Sequence, residues 1–364
     1  MGIQPDIIVA RTSRKIDKKR LLRLALFCNV HPTNIFSAPD LSTIYEVPLL
    51  FHKQQHHLAS TSLKLLGLKL GKHKYIKEWQ SMTKRALKNW KKSVKLAMVG
   101  KYFVTGDYKL VDSYVSVVES FRHAAWRLGI NIDFDWVDSE EIERRGVEKL
   151  KNYQGIIVPQ GWGSRGTEGK ILTAQYARVN NIPYLGLCFG MQMATIEFAR
   201  NVLNFRDANT TEVNQNTTHP VIHIMENQKE YLEKNQYGGT IRLGAWPCLL
   251  KKDSILDKAY KKHNSEIDAP WWISKTGIKG NILNGKLLIY ERHRHRYEFN
   301  NKYKSNFEKA GFIISGTSPD KKLVEAIELK NHKFFVGTQY HPEYISRPLT
   351  PHPVFLAFLE SIID

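Results

Sequence analysis

The chain has 364 residues, 42% of them hydrophobic, with 54 Lys and Arg against 35 Asp and Glu. That length suits one large or two medium domains, and the composition excludes wholesale disorder. No run of about 18 apolar residues occurs, so no transmembrane helix is expected.

Three cysteines, Cys28, Cys188 and Cys248, are too few and too scattered for a disulfide framework or a zinc site. The reducing cytoplasm is the expected setting. The N-terminus runs from apolar to basic, the reverse of a secretory signal. Gly2 is not followed by the Ser or Thr that a myristoylation site needs.

The net charge of +19 is uneven, because the first hundred residues hold 19 Lys and Arg against 5 Asp and Glu. Such a field favours phosphate-bearing partners. The competing reading is a lysine-rich solvated surface. No zinc-finger, RNA-recognition or basic-zipper pattern favours nucleic acid, so no nucleic-acid partner is expected, and no membrane partner either.

In chain order, residues 6–10 (DIIVA) and 23–28 (RLALFC) read as short buried strands, being apolar and too short for helices of their own. Residues 34–50 continue in a mixed style. Residues 51–94 read as a basic linker with one or two helices. Its His52, His56 and His57 lack a matching Cys or carboxylate cluster, so they are expected on the surface.

From Lys95 the pattern becomes regular. KLAMVGKY is a strand, 111–128 a helix ending at Gly129, INIDFDWV a strand and 138–150 a helix. GIIVP is a strand, 169–180 a helix, IPYLGLC a strand and 190–201 a helix. Further strands are expected at 286–290, 311–316, 323–329 and 334–340, with a closing helix at 354–363. Strands alternating with helices at this spacing predict an α/β fold, a mostly parallel sheet with helices on both faces.

Gly186-Leu187-Cys188-Phe189-Gly190 lies between a strand and a helix. It is the sulfur form of the nucleophile elbow, in which glycines allow a tight turn and the helix N-terminus favours a thiolate. A buried structural cysteine flanked by glycines by chance is an equal alternative on this motif alone. Tyr340-His341-Pro342-Glu343 follows a strand near the C-terminus. Positions two apart in extended chain point the same way, so Glu343 can orient His341 and His341 can take a thiol proton. Val158-Pro159-Gln160-Gly161-Trp162-Gly163 offers a second backbone oxyanion donor.

With these motifs, GLCFGMQ, RLGAWPC, ERHRHRYEFNNKY and GTQYHPEYISRPL make the stretch from Lys95 to the C-terminus resemble the class I (triad-type) glutamine amidotransferase domain of the CTP synthase family. GIQPDIIVAR and LALFCNV resemble the closing strands of that family's synthetase domain. The resemblance implies a truncated α/β amidoligase remnant over 1–50, the basic linker over 51–94 and the amidotransferase domain over 95–364.

It implies Cys188 as nucleophile, His341 as base and acid, and Glu343 as its orienting partner. It implies Gly161 and Phe189 as oxyanion donors. Gly190, Met191 and Gln192 would line the glutamine pocket, and Glu212 and Arg296 would clamp the zwitterion of glutamine. Trp162, Arg165, Gly166 and Glu168 match a lid that responds to GTP. Arg11 and Arg23 match family nucleotide contacts, without partner elements that would make either a working site. The family's partners and cofactors, as the resemblance implies them, are glutamine, UTP, ATP with Mg2+, and GTP as allosteric effector, with no metal site and no covalent cofactor expected here.

Two departures stand out. No P-loop occurs among these residues, because Gly67-Leu68-Lys69-Leu70-Gly71-Lys72-His73 is one residue short and has His where Ser or Thr should hold magnesium. Gln160 stands where the family has glycine, which would cost about 1–2 kcal/mol if that position needs φ > 0. Three readings follow: a CTP synthase represented by its amidotransferase half, a separate glutaminase subunit docking on another synthetase chain or forming a homo-oligomer, and a non-catalytic remnant.

Overall fold

The computed structural model of the protein describes residues 4–53, 58–69, 71, 75–101, 104–105, 108–109, 111–224, 242–264 and 281–364. The chain divides into two units, Met1–Asn89 and Trp90–Asp364.

In the first unit the strand Ile8–Thr12 pairs in parallel with Ile35–Pro39. It alternates between half-buried and exposed residues and is not the buried strand expected over 6–10. The segment 23–28 is not a strand either. Asp17 accepts the N–H of Arg20 at 2.8 Å and caps a helix, Lys18–Phe27, that runs through it. Leu21, Leu24, Ala25 and Cys28 follow helical spacing and pack with Val30 and Ile35, leaving Leu26 and Phe27 exposed. Helices at Val47–Lys53, Leu58–Leu65 and Ile76–Ala86 follow. His56, His57, Lys72 and His73 lie outside the described residues.

The second unit is built on a ten-stranded sheet. Phe335–Thr338, Tyr184–Leu187, Gly155–Val158, Ser93–Gly100 and Asn131–Asp138 run parallel in that spatial order. Antiparallel strands extend the sheet beyond Phe335–Thr338, through Val324–Leu329, Phe312–Thr317, Arg242–Leu250, Lys286–His295 and Asn281–Leu283. The parallel half is the part the alternation of strands and helices revealed.

Side chains alternate between two cores, as a pleated strand requires. Ala97 and Val99 join Ile171, Ala174 and Met193 of the helices Thr167–Val179 and Phe189–Asn201. Leu96 and Met98 face Phe121, Tyr260 and Phe355 of the helices Val115–Leu128, Ile255–Asn264 and Pro353–Ile363. Helices thus cover both faces. Among the described residues no helix is long and apolar enough to cross a membrane.

His123, on Val115–Leu128, is 6% exposed. Burial, with a smaller opposing pull from Glu119, pushes its pKa down to about 4. Between that value and the ordinary 6.5, the unfolded chain binds a proton that the native ring refuses. Stability is therefore expected to fall as pH drops through this window, by up to about 3 kcal/mol. His123→Gln should flatten that slope in thermal melts taken across it.

Candidate active site at the strand ends

Leu187 and Thr338 are register partners at the carboxyl ends of two neighbouring parallel strands. The segments leaving those ends emerge side by side, the usual place for a site in an α/β sheet. One segment begins with Cys188, whose N–H donates to Thr338 O at 2.6 Å. The other reaches His341 three residues on.

Cys188 has φ 52 and ψ −101, a backbone state that costs a non-glycine residue about 1–3 kcal/mol. The neighbouring glycines make it attainable. A Cβ on Gly186 would stand 2.7 Å from the carbonyl carbon of Gly190, and a Cβ on Gly190 would run into Val158 O. Gly190→Ala is therefore expected to displace the elbow, costing at least about 2 kcal/mol. A thermal melt reads the loss, and glutamate release from glutamine should fall further than the melt alone explains.

Cys188 caps the helix Phe189–Asn201, at the positive end of the helix dipole. Gln339 Nε2 donates to its Sγ at 3.6 Å. His341 is buried, and its Nδ1 lies 2.7 Å from Glu343 Oε1. Its ring stacks on Tyr344 with centroids 4.8 Å apart. Burial is the largest influence on His341 and opposes its charge. Glu343 and Cys188 together outweigh it and raise the pKa well above the ordinary value. Both partners thus favour the charged form of the ring beside the sulfur.

The His341–Glu343 contact arises differently from the extended-chain expectation. Pro342–Tyr344 is a turn of 3-10 helix with His341 as its N-cap, and this turn folds the carboxylate back under the ring.

Cys188 and His341 open into one cavity of about 280 Å³, shared with Gly161, Trp162, Arg294 and Tyr344. Gly161 N–H has no acceptor among the described residues. Phe189 N–H belongs to the first helical turn, where no intrahelical acceptor exists. Gln160 also lines the cavity but does not have a positive φ, so the backbone cost expected there does not arise in this conformation.

Other expected residues gather close by without lining that cavity. Glu212 accepts Gly163 N–H at 2.8 Å. Burial raises its pKa, and Gly163, Lys101 and Arg296 oppose the rise. The Arg296 guanidinium lies 6.0 Å from the Trp162 ring centroid. Gln192 Nε2 donates to Tyr297 O at 3.1 Å and to Gln339 Oε1 at 3.2 Å, linking it to the sulfur through Gln339. Met191 is packed in the core, and Gly190 is buried in its helix.

Of the lid residues, Arg165 pairs with Glu140 at 2.9 Å and Glu168 with Arg200 at 2.7 Å. Gly166, at φ 67, caps the helix Thr167–Val179. In the first unit, exposed Arg11 pairs with Asp40 at 3.1 Å. Arg23 lies on an exposed helix face. Among the described residues no cluster of carboxylates, histidines or cysteines is arranged to hold a metal ion.

Sequence reasoning missed Gln339, although it sits inside the GTQYHPE motif. It also missed Lys101 and Lys170, because a lysine in sequence reads as surface charge while both are buried here.

The family model described as Glutamine amidotransferase class-I matches residues 109–361. This chain belongs to that family. A second model, CTP synthase N-terminus, matches residues 1–67. The chain is 44% identical to the CTP synthase of Moorella thermoacetica over 359 residues, 99% of this chain and 60% of that protein. It is 46% identical to the CTP synthase of Sulfolobus acidocaldarius over 361 residues, 99% of this chain and 61% of that one. The chain thus spans about three fifths of the length of these curated relatives. Among solved structures it is similar to the glutaminase domain of Trypanosoma brucei CTPS with bound acivicin. There the TM-score is 0.61 and the identity 36%, covering 74% of this chain and 94% of that one.

Proposed function

We propose that residues 90–364 hydrolyse glutamine and release ammonia through Cys188, His341 and Glu343. The observation that carries this reading is the shared cavity. It joins a sulfur on a strained elbow to an imidazole whose far nitrogen is 2.7 Å from a buried carboxylate.

In this reading His341 Nε2 takes the thiol proton and Cys188 Sγ attacks the side-chain amide carbon of glutamine. The oxyanion forms against the amides of Gly161 and Phe189. His341 returns the proton to the leaving nitrogen, the C–N bond breaks and ammonia departs. His341 then deprotonates water, which attacks the thioester and yields glutamate and the free thiol. Glu212 reads the ammonium of glutamine and Arg296 its carboxylate.

For the whole protein to which these residues belong, we propose the CTP synthase reaction, ATP-dependent amination of UTP with this ammonia. GTP is the proposed effector, acting at Trp162, Arg165, Gly166 and Glu168. A separate synthetase chain is the second reading. Exposed Leu26, Phe27 and Ile44 in the first unit favour it, and co-purification with an ATP-binding partner tests it.

The deciding assay is glutamate release by the full chain, with and without GTP, alongside labelling by a glutamine-like electrophile. The expected result is turnover and a label on the Cys188 peptide. No turnover and no label would remove the reading.

A further inference from the structure

Lysine is rarely buried, because desolvating its charge is costly unless hydrogen bonds and opposite charge offset the loss. Two lysines here are 2% and 0% exposed, Lys101 and Lys170, and both sit behind the loop that carries Gly161. Lys101 follows the strand Ser93–Gly100, and Lys170 lies in the first turns of the helix Thr167–Val179.

Their hydrogen bonds fall on either side of Gly161. Lys170 Nζ donates to Pro159 O at 3.0 Å. Lys101 Nζ donates to Trp162 O, and to Gly163 O at 3.0 Å. Tyr114 Oη donates to Lys101 O at 2.9 Å and lies 3.2 Å from Gln160 O. The two lysines thus hold the carbonyls of Pro159, Trp162 and Gly163 on both sides of Gly161.

The contact with Gly161 itself is close. A Cβ placed there would meet Lys101 Cε at 3.1 Å and Lys170 Nζ at 3.2 Å. Both ammonium nitrogens also lie over the ring of Phe189, 5.1 and 5.3 Å from its centroid. Phe189 carries the other candidate oxyanion amide. One pair of buried lysines therefore supports both donors.

We propose that Lys101 and Lys170 are positioning residues of the oxyanion site, clamping the carbonyls around Gly161 so that its N–H is presented to the charge that develops on the substrate. This rests on the glutamine-hydrolysis reading. The hydrogen bonds give the mechanism its geometry, and the electrostatics add to it. Burial pushes the Lys101 pKa down to about 8; Glu212 opposes this, Arg165 adds to it, and Glu140 and Glu143 oppose it. Burial also holds Lys170 well below the usual lysine value. Lys101 adds to that depression and Cys188 works against it. Lys101 therefore loses its charge, and part of its grip on the loop, as pH rises through about 8.

The test compares two reactions of the same sulfur in the full chain. Glutamine hydrolysis passes through an oxyanion. Alkylation of Cys188 by iodoacetamide displaces iodide at a saturated carbon and forms none. In Lys170→Met and Lys101→Met, kcat for glutamine is expected to fall about 10²-fold. The rate of Cys188 alkylation, read by mass on its peptide, is expected to change less than about threefold.

The wild-type kcat should also decline above pH about 8, a limb that Lys101→Met lacks. Unchanged kcat in both variants overturns the proposal. So does a parallel loss of hydrolysis and alkylation, because that marks a collapsed site or a role at the thiolate. If Lys170→Met does not fold, Lys101→Met and the pH limb decide. A wild-type chain that hydrolyses no glutamine fails earlier and differently, by removing the underlying reading.

Discussion

Cys188→Ala is expected to lower glutamate release by about 10⁴-fold or more while leaving the fold intact. The chemistry requires a nucleophile, and no other cysteine lines the cavity. Stability should hold, because the sulfur gives up one hydrogen bond, the long one from Gln339 at 3.6 Å. Alanine also tolerates the positive φ of the elbow no worse than cysteine does. Cys248→Ala is the contrasting variant. Cys248 is fully buried in the second core, and burial raises its thiol well above the usual value, with Glu325 and Glu291 adding to the rise. Such a thiol is unreactive, so turnover should survive its removal at a cost of about 1 kcal/mol in stability. Turnover that persisted in Cys188→Ala would remove the sulfur from the mechanism. A stability loss matching the activity loss would recast it as a packing residue.

How far the sequence exposed this site depends on the distance over which its signals act. The elbow was legible because glycine, cysteine and glycine lie within five residues between two strong periodic elements. The parallel strands from Lys95 onward were legible for the same reason. The segment 23–28 was not, since a six-residue apolar run fits a strand or a helix face equally. What decides is Asp17, six residues upstream, together with the packing of Leu21 against Val30 and Ile35. The pairing of His341 with Glu343 was foreseen, but its cause was not. A proline-started turn does what strand alternation was expected to do. Glu212 and Arg296 became candidates only through family resemblance, because isolated charges in sequence carry no direction. Lys101 and Lys170 were beyond reach altogether. Their burial follows from three carbonyls on a loop some 60 residues from one of them and about 10 from the other.

Glu343→Gln is the second substitution with a large expected effect, a fall in kcat of about 10²–10⁴-fold with little change in KM. The change is nearly isosteric, so packing around a 3% exposed side chain survives it. What changes is the proton. The carboxylate 2.7 Å from Nδ1 can only accept, which fixes the ring proton on Nδ1 and leaves Nε2 for the sulfur. A glutamine amide can donate instead, which puts the single proton of the neutral ring on Nε2, where it cannot take another from the thiol. The variant also removes a charge that raises the pKa of His341, and the burial that opposes ring charge then acts with less resistance. The ring of Glu343→Gln is therefore expected to lose its proton at lower pH than the wild-type ring, and the histidine signal in an NMR titration reads that shift directly. That displacement belongs to an orienting carboxylate. A buried glutamate that merely filled space would leave the titration where it was, and a kcat within about threefold of wild type would exclude the orienting role.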